Sequence, residues 1–479
     1  MVSETAQIDP SASTLTIDGK PLAMRKDFLL APDFARQTVD VSAPVVLAGF
    51  GVTAPELSYD DYRDVDVHGK IVLLVSGAPK TFPNDQRAYY SSGDVKRKNA
   101  AAHGAAGILN LASITDEARY PFEKRVQQSG ITPMTILDPS GKPVSAIEAL
   151  KVSATLSRDA AAALFANTPA TLDAVLAAAE KGVGTSLPLG KVAAAHTVST
   201  FAEVESENVI GILRGVEAGF SRPESVVVSA HLDHLGNHPP SGAAAASPAD
   251  GIYNGAYDNA SGIACLIEIA KAMSRGPKPK RSVMFVAFTG EEKGDQGSRF
   301  FARYPPVPRR DIVADINMDM FLMLYPVGDV VLLGGEHSSL GALAAAAAKA
   351  SGFAVSPDPY PEEVRFIRSV QYSFVEEGIP AIHIKPGNKS RDASIDGARV
   401  TREWLRNVYH SPRDDMSQTF DFASGARYAE MNLRLVRAVA NGPRPTWTAG
   451  DFFARVIPSR EDGEGSRGGR KATITLRVP

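Results

Sequence analysis

The sequence predicts an α/β fold: a mixed, largely parallel sheet flanked by helices, preceded by a β-rich region. Two observations carry this. Beyond about residue 200, short apolar runs alternate with segments of helical period, the rhythm of strands joined by helical crossovers. Between 45 and 138, β-branched runs are bounded by glycine and proline, the pattern of short strands and turns.

In order, "TLTIDGKPL" reads as a short hairpin, and "PVVLAGFGV" and "GKIVLLVSG" as strands with a polar loop between them. "KRKNAAAHGAAGILNL" reads as a helix stopped near Gly104 and then a strand, and "ITPMTILD" as another strand. Residues 159–181 are alanine-rich and helical, and 182–203 read as a connection of weak periodicity. Four buried strands follow: "SVVVSAH" (225–231), "RSVMFVAFTG" (281–290), "DIVADINMDM" (311–320) and "GIPAIHIKPG" (378–387). Helices fall at 261–275, 339–352 and 422–442. Residues 459–479 are charged and glycine-rich, and are expected to form a disordered tail.

Composition narrows the class. Apolar residues make up 44% and charged residues 22% of the 479, as in ordinary globular proteins, and that length suggests about three domains. A net charge of −3 gives no reason to expect nucleic acid as a partner. No run reaches the roughly 18 apolar residues of a membrane span. Cys265 is the only cysteine, so no intrachain disulfide forms. The first ten residues are polar and carry no signal-peptide pattern. Composition does not fix the oligomeric state.

Chemistry-bearing residues gather where open α/β sheets place their sites, beyond the carboxyl ends of strands. His231 and Asp233 follow the first of the four, Glu291 and Glu292 the second, and Asp319 ends the third. Asp258 precedes the helix at 261, and His410 lies in the loop "NVYHSPRDD". Alone, "HLDH" or a Glu pair is as readily a solvated loop, and "DNASG" a helix cap. Together they suit two divalent ions that accept imidazole and carboxylate, zinc among them. Three carboxylates and a bridging hydroxide would balance two such ions. Of the adjacent glutamates, one can bind metal while the other serves as general base. Asp233, two residues from His231, can accept the second imidazole N–H.

The motifs "SAHLDHLG", "YDNASG", "FTGEEKGDQGS", "INMDM" and "YHSPRDD", in this order across roughly 205–453, resemble the co-catalytic di-zinc aminopeptidases of the aminopeptidase Y and carboxypeptidase Q superfamily. "AGFGVTAPELSYDDYRDVDVHGKIVLLVSG" and "KNAAAHGAAGIL" resemble the protease-associated (PA) domain. The resemblance implies a zinc-exopeptidase core of the phosphorylase/hydrolase-like type, two Zn²⁺ per chain, peptide substrates and a periplasmic or secreted location. By the same resemblance His231 and Asp319 hold one zinc, Glu292 and His410 the other, and Asp258 bridges them. Glu291 matches the general base, Tyr409 an oxyanion donor, and Arg368 a residue that holds the substrate carbonyl.

His234 recurs in the family pattern but is not expected to bind zinc, and His238, His337 and His383 are expected to be non-catalytic. The implied activity is removal of N-terminal residues. Carboxypeptidase or dipeptidase action, cyclotransferase chemistry and a non-catalytic receptor-like role are the alternatives.

The organisation expected is an N-terminal segment (1–44) shortened relative to the family, a PA-like domain and connection (45–195), a catalytic domain (196–458) and the tail. One departure stands out: Val370 occupies a place where the family carries an acid between Arg368 and Tyr372. An Asp there could hold Arg368, so valine is expected to leave that arginine less well positioned.

Overall fold

The computed structural model describes all residues except 130–131, 217–222, 238–250, 364 and 457–479. His238 and the tail at 459–479 lie outside the described residues. The chain divides into two compact units, Val2–Glu205 and Ser206 onward, the latter with Met1.

The expected boundary between 195 and 196 falls inside a single strand, Ser186–Glu205. This strand pairs antiparallel with Val2–Ile8, Thr14–Ile17 and Thr38–Ala48. Residues 2–44 are therefore integral to the sheet of the first unit rather than a separate segment. The strand reads as a connection in the sequence because its inward face is small: Ala193, Ala195, Thr197 and Ser199 are buried there. Strand alternation is present, but it is not written in large apolar residues. The hairpin around Asp18–Gly19 and the strands Ile71–Val75 and Gly107–Leu111 form as expected.

The second unit is built on seven strands: β1 (Val209–Leu213), β2 (Ser225–His231), β3 (Ser282–Phe288), β4 (Ile312–Asn317), β5 (Asp329–Leu333), β6 (Ala354–Val355) and β7 (Ala381–Pro386). Their order across the sheet is β1-β3-β2-β4-β7-β5-β6. The centre, β3-β2-β4-β7, is parallel. β1 and β5 pair antiparallel with β3 and β7, so the sheet is mixed.

Every residue of β2 and β4 is buried, which explains why these strands read as continuous apolar runs. Helices α1 (Ser261–Ser274), α2 (Gln296–Arg303), α3 (Leu340–Ala350), α4 (Gln371–Val375), α5 (Gly397–Asn407) and α6 (Phe422–Asn441) cover the sheet. Val226, Val228, Val283 and Phe285 join the core formed with α1, α3 and α6. On the opposite parity, Phe288 meets Phe301 of α2 and Phe374 of α4. Strand period two thus sends alternate side chains into two layers, and the carboxyl ends of β2, β3 and β4 are left together at one rim. No helix among the described residues is long and apolar enough to cross a membrane.

Candidate metal centre

His231 is the last residue of β2, and Asp319 stands two residues beyond β4. Glu291 and Glu292 follow β3 in a turn. Asp258 sits in the turn that enters α1, and His410 follows α5 with a left-handed backbone, φ 52°. The structure brings His231, Asp258, Glu292, Asp319 and His410 together. His231 Nε2 lies 3.2 Å from Asp258 Oδ1 and 3.5 Å from Asp319 Oδ1. His410 Nε2 lies 3.3 Å from Asp258 Oδ2 and 3.4 Å from Glu292 Oε2. One oxygen of Asp258 therefore faces each pair.

These separations test whether the residues fit metal ions. Two ligand atoms at about 2.0–2.2 Å from one tetrahedral ion stand about 3.3–3.6 Å apart. Three of the four distances match that spacing and exceed an ordinary hydrogen bond, and the fourth, 3.2 Å, stands at the edge of both ranges. His231 Nε2 and Asp319 Oδ1 are also buried without a hydrogen-bond partner, a costly state for polar atoms that a cation between them would relieve.

The electrostatics point the same way. Burial raises the Asp258 carboxyl, but His231 and His410 outweigh it and hold it at about 2. Burial opposes ionisation of Asp319 too, yet Lys385 and His231 keep it well below the carboxylate range. Burial disfavours a charged His231, but the Asp258 and Asp319 carboxylates draw it well above the ordinary imidazole value. The cluster thus calls for positive charge.

Residues 208–436 match the model of Peptidase family M28. The match covers just under half of the chain. A "Probable zinc metalloprotease" of Pyrenophora tritici-repentis (strain Pt-1C-BFP) is 39% identical over 66 residues, 14% of this chain and 15% of the relative. The match thus spans about a seventh of that relative's length. Among solved structures, an aminopeptidase from Aneurinibacillus sp. strain AM-1 is 20% identical, with 92% of this chain and 84% of that one covered at a TM-score of 0.48. BSAP, a zinc aminopeptidase from Bacillus subtilis, is 18% identical, with 92% and 85% covered at a TM-score of 0.39.

Within the matched segment, Glu291 has no place in either ligand pair. Burial lifts its carboxyl well above the usual range; Asp295, Asp319 and Glu292 add to this, while His231 opposes it. Tyr409 stacks on the His410 ring, with centroids 3.7 Å apart. Burial raises its phenol, helped by the Asp258 and Glu292 charges, so it remains a donor at neutral pH.

Two sequence-level expectations change, those for Asp233 and Val370. The Asp233 carboxylate does not orient His231. It lies 3.9 Å from Nδ1, which instead meets the Asp233 backbone carbonyl at 3.0 Å. Strand alternation ends at His231, so Asp233 is not on an extended repeat. Its side chain accepts from the Glu291 and Glu292 amides at 3.1 and 3.3 Å, fixing the turn that carries both glutamates.

Arg368 is exposed and makes no hydrogen bond or ion pair to these residues among those described. Its neighbour Ser369 donates to Asp319 Oδ2 at 2.7 Å. Val370 is fully buried at the start of α4. It is a packing residue, and an acid there would be buried rather than paired with Arg368. Val370→Asp is expected to cost on the order of 3 kcal/mol, as an uncompensated buried charge does. Thermal unfolding should show this as a fall of about 6–12 °C, and an unchanged midpoint would contradict it.

Other supporting residues carry no motif of their own. Asp414 is fully buried and accepts from the Tyr257 and Asp258 amides at 2.9 and 3.0 Å. Asn259 accepts from the Gly262 and Met320 amides and donates to Met318 O, tying the turn before α1 to the turn after β4. The His383 ring, buried in β7, lies 2.9 Å from Asp319 O, and burial lowers it to about 3, keeping it neutral. The His337 ring lies 2.8 Å from Asp451 and packs on Phe366 and Phe453.

Proposed function

We propose that this protein is a zinc-dependent exopeptidase that removes N-terminal residues from peptides. One observation carries the reading: Asp258 directs its two oxygens at two half-sites, each completed by a histidine and a carboxylate at ligand-to-ligand spacing. His231, Asp258 and Asp319 would hold one ion, and Asp258, Glu292 and His410 the other. Bound there, two zinc ions would supply Lewis acidity and lower the pKa of water. Zinc suits a mixed imidazole and carboxylate set.

The chain's own residues do the rest. Glu291 takes a proton from the water that attacks the scissile carbonyl and then delivers it to the departing amine. Tyr409 donates to the oxygen that gains charge. Asp233 holds the turn on which Glu291 sits. A carboxylate-rich rim also suits a substrate's free ammonium. Residues 45–195, read as PA-like, lie within the unit Val2–Glu205 and are taken as an accessory domain, and an exported location accords with the motif resemblance.

A non-catalytic binding role is disfavoured because the ligand set and the base are both present. The test is turnover of matched peptides with free and acetylated amino termini, with metal content measured alongside. The free peptide should be cut from its N-terminus and the blocked one spared. Release of residues from the C-terminus of the blocked peptide would move the activity to the carboxypeptidase side.

A further inference from the structure

His234 stands among the candidate ligands, yet its distances differ from theirs. Its Nδ1 lies 2.7 Å from Glu292 Oε1 and 3.8 Å from Asp258 Oδ2. The first is a hydrogen bond, too short for two atoms sharing a tetrahedral ion. The second is too long for that spacing. The four ligand pairs fall between these values, at 3.2–3.5 Å.

The ring is also fixed in place. Its side chain is 6% exposed. Gly255 packs on it so closely that a Cβ at that position would come within 2.9 Å of the ring carbon and 3.0 Å of His234 Cβ. Gly255 adopts φ +64°, so a side chain there would be strained as well as crowded. The Tyr253 and His410 rings lie 6.3 and 5.6 Å away by centroid. His234 therefore reaches Glu292 from a rigid seat.

We propose that His234 is a positioning residue: its Nδ1–H engages Glu292 Oε1 and so commits the other oxygen, Oε2, to the ion shared with Asp258 and His410. A carboxylate has two equivalent oxygens and a free torsion. Occupying one with a donor fixes which oxygen faces the metal and at what angle. Such partners of metal ligands typically change affinity by about 10–100-fold when removed. The effect should be one-sided, because His231 and Asp319 do not touch His234. This inference rests on the two-ion reading above.

The experiment is zinc titration of the metal-free full chain by calorimetry, with circular dichroism to confirm folding. Wild type should bind two ions. His234→Ala should keep one site at wild-type affinity and weaken the other about 10–100-fold. His234→Asn places an amide N–H two bonds from Cβ, where Nδ1 stands, and should restore the weak site to within about threefold. His234→Gln carries its N–H one bond farther out and should not restore it. A Co²⁺-loaded series should show the d–d bands of one site altered in the Ala and Gln variants only.

Equal affinities in wild type and His234→Ala would overturn the proposal. So would His234→Asn as weak as His234→Ala, which would make the imidazole itself a ligand. If His234→Ala does not fold, the Asn and Gln pair decides, and equal behaviour of those two overturns the proposal. Wild type binding fewer than two ions would instead defeat the two-ion reading.

Discussion

Glu291→Gln is expected to lower kcat by about 10²–10⁴-fold, the range that a positioned general base supplies, while both ions remain bound. The carboxylate lies outside both ligand pairs, so its loss leaves the coordinating atoms untouched. Glutamine keeps the size of the side chain, and the backbone amide of residue 291 still donates to Asp233. The turn should therefore hold Glu292 where it is.

The environment explains why this residue can serve as both acceptor and donor. Burial and neighbouring carboxylates raise its affinity for a proton, and bound cations would draw that affinity back towards neutrality. His410→Ala is the contrast, since it removes a ligand atom and should release metal as well as activity. Steady-state kinetics and metal content on the two variants separate the roles. Equal metal loss in both would mean that Glu291 is a ligand, and full activity of Glu291→Gln would mean that another group moves the proton.

The sequence is most legible where one physical demand governs a whole segment. β2, β3 and β4 must be apolar on both faces, so they stand out as runs, and the carboxyl-end rule then locates His231, Glu291, Glu292 and Asp319. Asp258 and His410 arrive from loops before and after helices, and only the ordered motifs connect them to the same rim. What stayed hidden depends on contacts between segments far apart in the chain. Ser369 reaches Asp319 across 50 positions, and Asp414 reaches Asp258 across 156. A serine or a second aspartate carries no periodicity that announces such a partner. The strand Ser186–Glu205 was obscured for another reason, because from Ala193 to Ser199 its buried face is made of Ala, Thr and Ser. His234 could have been suspected from "HLDH", but its 2.7 Å contact with Glu292 depends on how the turn after β3 folds back.

Asp258→Ala is expected to remove both ions and reduce activity by at least about 10³-fold. Asp258 is the residue common to the two half-sites. Without it, His231 and Asp319 remain on one side and Glu292 and His410 on the other. Two protein ligands fall short of the three that catalytic zinc sites normally carry. Removing either histidine instead leaves the opposite half-site with its full set, so those variants should retain one ion.

Loss of metal in Asp258→Ala should not reflect unfolding. The Asp414 carboxylate still accepts from the amides of residues 257 and 258, and Asn259 still ties this turn to residues 318 and 320. In the metal-free protein the burial cost of this carboxylate is more than offset by His231 and His410, so its removal costs some stability but leaves the turn's own hydrogen bonds in place. The metal-free variant is accordingly expected to melt within a few degrees of the metal-free parent, whereas added zinc raises only the parent's midpoint, as a ligand of the native state does. Thermal melts with and without zinc, read beside metal content after dialysis against buffered zinc, test both halves of the expectation. Retention of two ions by Asp258→Ala would show that the half-sites are complete without a shared carboxylate and would remove Asp258 from the bridging role.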